Sequence, residues 1–484
     1  MLAHLRNYAS AGFVTGLVGL VSFPILTRNL TVAEYGIVGL ITASLTLFIA
    51  FGKLGIQHAV IRFFAQVKNE NSVYSMSQLN STVCVVFFAL ASMTTILWLL
   101  SGIYVLPNIM QYENLPALFM VAGAIVFIRL MGSSALNFLR AQQRSVDAAI
   151  AESIARCLNL VFVLSLLFLS TLSPLAVISS LLVAEVFGVG YAFYCYSPHF
   201  KFSNDDVSKG LAKSMLIYGL PLMVLEALSL VLRLSDRYMI EAMLGASALG
   251  QYAASYNLAS YIDLIILVAM VQALKPAYMH IWESEGPEKT RKFLSKIFRI
   301  YLITGIPFIT CFSLVAPYLL QFLAGEKYAS GTVVIPYLAF SYLLTGGAHI
   351  LTAGLYIFKD TKGLVVWSTV ATVVNLALNF IVIPKFGIVG ASAVTIISFA
   401  IFGVGVTLTA FKMVSFPINL RAPAMMAIAS LIVYFLLNPL HFGSDIMNFL
   451  GKGLCGTLAL LATMWFIEPE VRLWIKSRLE SSVR

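Results

Sequence analysis

Fourteen apolar segments, each of about 18 to 25 residues, alternate with short polar stretches along the whole chain. They fall near residues 9–26, 36–57, 79–101, 116–139, 148–170, 174–196, 212–233, 249–272, 294–323, 332–356, 364–383, 388–410, 422–438 and 446–467. A helix needs about 20 mainly apolar residues to cross a hydrocarbon core ~30 Å thick, and only helices or closed barrels satisfy their backbone polar groups there. The pattern predicts an all-α integral membrane protein with 14 transmembrane helices.

Composition leaves no room for anything else. With 60% hydrophobic residues, 11% charged residues and a mean hydropathy of +0.91, no stretch is long enough for a sizeable soluble domain, including the longest gap around Lys275–Lys296. Basic residues set the expected orientation. Of the 31 lysines and arginines, twenty-two fall in the tails and even-numbered gaps or within the first turns of the spans that follow them, whereas only Arg28, Arg237, Lys327 and Lys385 fall in the odd-numbered gaps. The positive-inside rule then makes both termini cytoplasmic. The net charge of +10 is accounted for by this topology and by contacts with membrane lipids, so no nucleic-acid partner is expected. The first residues read as the lead into span 1, without the cleavage motif of a removed signal. Cys84, Cys157, Cys195, Cys311 and Cys455 lie within spans and show no paired spacing, so neither disulfides nor a zinc site is expected.

The chain also repeats itself. An offset of 214 places Leu30, Gly36 and Val38 against Leu244, Gly250 and Tyr252. Near the fifth and eleventh spans it drifts to 216, placing Asn159-Leu160 on Asn375-Leu376 and the turn Arg140–Arg144 near Lys359–Lys362. An even number of spans per unit keeps its direction in the membrane, which predicts two six-helix bundles in a parallel pseudo-two-fold repeat, plus two extra C-terminal helices. The expected domains are 1–200, 201–411 and 412–484.

Several segments carry a family resemblance. They are Phe-Pro-Ile-Leu-Thr-Arg-Asn-Leu-Thr (23–31), Glu34-Tyr35-Gly36, Phe51-Gly-Lys-Leu-Gly55, Asp236-Arg-Tyr-Met-Ile (236–240) and Leu-Gly-Ala-Ser-Ala-Leu-Gly-Gln-Tyr (244–252). In this order and spacing the chain resembles the polysaccharide flippases of the multidrug, oligosaccharidyl-lipid and polysaccharide exporter superfamily. The resemblance implies two bundles around a central cavity, alternating access, a lipid-diphosphate-linked oligosaccharide as substrate, and the bacterial inner membrane as location. It also implies other polysaccharide-assembly proteins as candidate partners.

Candidate site residues come from charge inside the spans. Lys53, Arg129, Arg156, Arg233 and Lys452 are basic, and Glu185, Glu226 and Asp263 acidic. Each costs about 2.5–3.5 kcal/mol at a helix centre on insertion scales, so such groups are expected to face a cavity or a partner. Arg129, Ser133, Asn137, Arg140 and Arg144 share one helical face, a polar stripe suited to an anionic headgroup. Glu152, Arg156 and Asn159 share another, and their repeat equivalents Ser368, Thr372 and Asn375 are neutral. Arg129, Arg156, Lys53 and Arg233 are therefore the expected substrate-binding cations, with Asp263, Glu226 and Arg28 as candidates for coupling or gating. Structural readings stand beside these. Arg156 lies four residues after Glu152 and could be its intrahelical partner. Lys53 is close enough to the cytoplasmic side to snorkel, Lys452 reads as interfacial, and Trp98 reads as part of an interfacial aromatic belt.

No Gly-x-x-x-x-Gly-Lys-Ser/Thr, His-Glu-x-x-His or Gly-x-Ser-x-Gly motif occurs, and the six histidines are scattered. No enzyme activity, cofactor or metal is expected. The leading expectation is a flippase that carries a polyprenyl-diphosphate-linked oligosaccharide to the outer leaflet for surface polysaccharide biosynthesis. Two alternatives are a cation-coupled multidrug exporter, which would want an acidic residue in span 1 where none occurs, and a membrane-embedded polymerase or ligase, which would want a long external loop.

Overall fold

A computed structural model describes residues 2–69, 72–104, 112, 114–169, 171–262 and 269–467. Helices account for nearly all of them, and no strand occurs among the described residues. In chain order they are α1 (Leu2–Asn29), α2 (Val32–Gly52), α3 (Ile56–Lys68), α4 (Met76–Tyr104), α5 (Leu115–Ala141), α6 (Ser145–Leu169), α7 (Pro174–Tyr196), α8 (Lys209–Leu244), α9 (Ala246–Ile262), α10 (Ala269–Glu285), α11 (Pro287–Ala324), α12 (Ile335–Leu351), α13 (Ala353–Ile357), α14 (Thr361–Phe411), α15 (Arg421–Leu437) and α16 (Asp445–Ile467). Among the described residues ten helical segments are long and apolar enough to cross a membrane. The protein is an all-α integral membrane protein. α14 is two helices joined at a kink, where Pro384 and Gly387 (φ 59°) break the ladder between the expected spans 364–383 and 388–410.

Local chemistry explains several boundaries. Thr31 caps α2 by accepting from the Glu34 backbone N–H, and the Glu34 carboxylate accepts from the Thr31 N–H in return. This reciprocal box satisfies two backbone donors that a helix start leaves open, which accounts for Glu34 in the Glu-Tyr-Gly motif. The expected span 36–57 is not continuous. α2 stops at Gly52, Leu54 (φ 45°) and Gly55 (φ 72°) take left-handed conformations, and the amphipathic α3 begins at Ile56. Lys53 is thus the C-cap of α2 at a break between two helices, not a residue inside a helix.

The chain forms two compact units, residues 1–253 and 254–484. In the first, α5 packs between α4 and α7, α6 packs on α7 and α1, and α8 packs along α2, α3 and α4. Its core joins Phe64, Phe87, Phe138, Tyr196, Leu211 and Met215, with Phe138 stacked on Tyr196 at 4.7 Å. Trp98 is not interfacial: it is fully buried, donates its indole N–H to the Phe119 carbonyl at 2.9 Å, and stacks on the Phe119 ring. A buried indole needs such an acceptor. In the second unit α11 packs against α12, α15 and α16, and α12 against α14. Lys452 is packed between helices. It is buried, its Nζ donates to the carbonyl of Asn438 at the end of α15 at 2.7 Å, and it lies 5.1 Å from the Tyr318 ring centre, which ties the appended hairpin to α11.

The duplication is visible in side-chain bonds. Ser180 Oγ donates to Asn159 Oδ1 at 3.0 Å in the first unit, and Asn375 Nδ2 donates to Ser398 Oγ at 3.1 Å in the second. Each pair joins the repeat's fifth helix to its sixth. The first compact unit runs on through α8, because α8 packs along α2, α3 and α4.

Candidate functional site

Charged side chains of the first unit gather where α2 ends and α3, α5, α6, α7 and α8 approach one another. Arg129 on α5 donates to Glu185 on α7, with Nη2 to Oε1 at 2.5 Å and both side chains largely shielded. Arg140 at the end of α5 is paired with Glu152 on α6. Glu226 in the middle of α8 accepts from Gln57 Nε2 at 2.8 Å and lies 3.7 Å from His58 Nε2, both on α3. Arg144 is held by Asp147 at 2.7 Å and the Cys195 carbonyl at 2.9 Å.

Two cations remain. Lys53 lies within electrostatic reach of Glu226, Arg140, Arg129 and Glu152, and Arg156 within reach of Arg129, Glu185 and Glu152. Among the described residues neither side chain makes a hydrogen bond or an ion pair. Arg156 is exposed and lies within electrostatic reach of three charged groups of the cluster. The pairing is therefore the reverse of what spacing along α6 suggests. Glu152 turns to Arg140 and leaves Arg156 free, while Arg129, with no acid a turn away on its own helix, is neutralised by Glu185 from 56 positions along the chain.

The other candidates are spread out. The polar stripe of α5 does not line open space as a whole: Ser133 is buried and bonded back to the Arg129 carbonyl at 2.8 Å, and Asn137 is buried. Arg233 is half-buried two turns beyond Glu226 on α8, and Arg28 is exposed in the last turn of α1. The charges that bear most on Lys53 and Arg156 include neither. Asp236 is buried and accepts from the Tyr252 hydroxyl and the Arg237 N–H, which anchors α8 to α9. Asp263 lies outside the described residues. Gln57, His58 and Glu185 were not among the expected site residues, and Glu152 was expected only as a neighbour of Arg156 on α6. Only the position of Glu185 inside a span pointed to it.

The cluster can hold an anion by charge. Lys53 and Arg156 supply uncommitted donors, and the paired arginines beside them add positive potential that their carboxylates partly cancel. The second unit offers a different surface, an apolar cavity of about 780 Å³ between α11, α12, α14 and α15, lined by residues such as Phe298, Ile306, Leu344 and Phe399. No charged side chain lines it.

The fold is shared with solved transporters. The structure of the lipid II flippase MurJ in its inward closed conformation superposes with a TM-score of 0.77 at 14% identity, covering 96% of this chain and 99% of that one. An inward-facing multidrug resistance MATE family transporter of the MOP superfamily superposes with a TM-score of 0.72 at 14% identity, covering 83% and 94%. In sequence, an uncharacterized membrane protein of Methanocaldococcus jannaschii is 23% identical over 426 residues, 82% of this chain and 80% of the relative. Residues 6–282 match the family described as "Polysaccharide biosynthesis protein". With more than half its length matched and the architecture of the MOP-superfamily transporters, the chain belongs to the polysaccharide biosynthesis protein family.

Proposed function

We propose that the protein is a flippase that moves a polyprenyl-diphosphate-linked oligosaccharide from the cytoplasmic to the outer leaflet of a bacterial inner membrane by alternating access, for surface polysaccharide biosynthesis. The observation that carries this reading is the pair of uncommitted cations, Lys53 and Arg156, within a charge cluster of the membrane-spanning unit. A diphosphate is recognised by such donors, and the resulting ion pairs are strong where water is scarce. Arg129 and Arg140 sit beside them and exchange their carboxylates for phosphate oxygens as the headgroup enters, while Arg233 and Arg28 act farther along the path. Both termini are cytoplasmic on the distribution of basic residues, which sets the direction of export.

A second reading is a cation-coupled multidrug exporter. The carboxylates Glu152, Glu185 and Glu226 favour it, because they make the cluster less cationic than its arginines alone suggest. Every one of them already has a partner, however, whereas the unpaired charges are positive, and a cationic drug would meet those first. A polymerase or ligase is less supported, since among the described residues no catalytic constellation accompanies the cluster.

The test is reconstitution. Vesicles containing the purified protein should translocate a polyprenyl-diphosphate oligosaccharide, and Lys53→Ala and Arg156→Ala should each reduce the rate about tenfold or more, the loss expected for removing one charge-assisted contact of roughly 1.5–3 kcal/mol. Efflux of cationic dyes that needs Glu226, with no movement of the lipid, would establish the exporter instead.

A further inference from the structure

The appended hairpin leaves an opening in the second unit. α15 packs on α11 and α16, and the space between it and the ends of α12 and α14 near Leu351 and Leu408 is the apolar cavity of about 780 Å³. Along α11 the cavity runs from Phe298 to Thr310, about 18 Å at ~1.5 Å per residue, close to the ~15 Å depth of one leaflet. Val404, Leu408 and Leu431 line its open side and are exposed, so it gives onto the hydrocarbon of the bilayer. Water gains nothing in such a space, and an empty one forfeits the dispersion contacts of its walls. A cavity of about 150 Å³ takes up one benzene ring, roughly 25 Å³ per carbon, so this one has room for about 30 carbons. That is the bulk of the two chains of one phospholipid, and too little for the whole tail of a long polyprenyl carrier.

The mouth of the cavity is cationic. Lys296 and Arg299 flank Phe298 on α11, Lys412 follows Leu408 by one turn, and Arg421 starts α15 about 9 Å before the lining residue Ala427. The loop between the last two is held against α11, since Ser295 Oγ donates to the Pro417 carbonyl at 2.6 Å. α15 also begins here. Asn419 Oδ1 accepts the Arg421 N–H, but the N-cap, Leu420, offers no side-chain acceptor, so the helix start keeps positive potential at the same place. No acidic residue occurs in 293–310, 335–359 or 403–431. The carboxylates nearest in sequence are engaged, Glu288 with Lys292 at 3.2 Å and Asp360 with the N–H groups of Lys362 and Gly363. The distribution of basic residues makes this end cytoplasmic, and cations there would serve topology over any surface. Topology alone does not require a chain-sized opening beneath them, walled by the same three helices.

We propose that this cavity is a binding site for an anionic phospholipid, its two hydrocarbon chains lying between α15 and α12 and α14, and its phosphate among Lys296, Arg299, Lys412 and Arg421. The lipid completes the packing of α15 against the unit. A neutral lipid fills the cavity without a partner for the cations, and the negative headgroup supplies one. The proposal is independent of what the protein transports.

The experiment follows the lipid directly. Purified full-length protein in a neutral detergent is titrated with phosphatidylglycerol carrying a photoactivatable diazirine at mid-chain, and the cross-linked peptides are identified by mass spectrometry. Labelling should concentrate on the lining residues of α11, α12, α14 and α15, and unlabelled phosphatidylglycerol should compete about tenfold better than phosphatidylcholine, or more. Arg421→Gln and Lys412→Gln should each weaken phosphatidylglycerol about fivefold and leave phosphatidylcholine unchanged. Ala427→Phe fills the space and should abolish the cavity labelling. Should it misfold, Gly403→Leu fills the cavity from α14, where an added Cβ makes only ordinary contact with the Ala348 Cβ at 3.7 Å. Saturating phosphatidylglycerol should raise the unfolding temperature of the parent but not of the filled variant. Labelling spread over the outer helix faces and indifferent to the filled cavity would mean annular lipid only and overturn the proposal. Equal competition by phosphatidylcholine would overturn it by showing a site for chains without a headgroup. A polyprenyl phosphate that displaces the probe better than phosphatidylglycerol would overturn it too, because the cavity would then hold part of the carrier's tail.

Discussion

Replacing Arg129 removes more than a cation. Its guanidinium lies 2.5 Å from the Glu185 carboxylate, and the side chains are only 21% and 11% exposed, so solvent screens the pair weakly. Taking away one member of a shielded pair strands the other. Arg129→Ala should therefore cost about 3–5 kcal/mol of stability, the range for an uncompensated buried charge, and Glu185→Ala a similar amount. Replacing both with apolar residues of matching size, Arg129→Met with Glu185→Leu, removes the stranded charge as well as the attraction and should return to within about 1–2 kcal/mol of the parent. Unfolding of the detergent-purified protein, followed in denaturant or on heating, measures all four corners of this cycle, and transport per folded molecule is then compared for the parent and the double variant. If the double variant folds well but transports slowly, Arg129 contributes to the substrate path beyond its pairing. If it transports at the parent rate, Arg129 is structural. A single variant as stable as the parent, or a double variant no better than the singles, would refute the argument that the pair is a desolvated unit.

Three further outcomes follow from the geometry. Arg156→Ala should express and fold like the parent, because it breaks no bond among the described residues, yet flip slowly, and adding Glu152→Ala should not rescue it because Glu152 is held by Arg140; recovery of transport in the double variant would show that Arg156 serves Glu152 after all. If a diphosphate of roughly two negative charges crosses with its charge uncompensated, an inside-negative potential contributes ~2.3 kcal/mol per charge per 100 mV, and flipping in vesicles should slow when the potential is clamped at zero with pH and sodium gradients fixed. Lys452→Met should lower the unfolding temperature through loss of a charge-assisted bond worth roughly 1.5–3 kcal/mol, leaving transport per folded molecule unchanged; a specific transport defect would place Lys452 in the working path.

Membrane architecture was legible because the bilayer imposes one length scale on every helix, and the Thr31/Glu34 box was readable because its partners are three residues apart. Partners distant in sequence were not. Glu185 reaches Arg129 from 56 positions away and Glu226 reaches Gln57 from 169, and no periodicity on one helix encodes either meeting. Spacing misled at Arg156, where a neighbour four residues back was a plausible mate but a stronger competitor, Arg140, stood nearby. The α2 break had a visible signal, glycines at 52 and 55 followed by Ile56, Ala59, Val60 and Phe64 at helical spacing beside Arg62 and Lys68, but hydropathy averaging ran the span through it. Trp98 was misplaced for a related reason, since nearness to a span end says nothing about which face of the helix a ring occupies.

At the repeat positions of Glu152 and Arg156, the second unit has Ser368 and Thr372, both buried, with the Thr372 hydroxyl bonded back to the Ser368 carbonyl at 2.7 Å. Two identical chains would have no such freedom, because every residue would appear twice and any charge placed at the site would be placed on both sides. A single chain carrying both copies lacks that constraint. One copy can hold ionic residues while the other uses the same positions for packing, so the net charge of the cluster can change one residue at a time instead of in pairs. Positions such as Gly36 and Gly250, where equivalent segments meet each other, keep that restriction: a bulkier residue on either side is blocked by the other's backbone. Divergence between the halves is thus expected to be greatest at the charge cluster and least at these crossings.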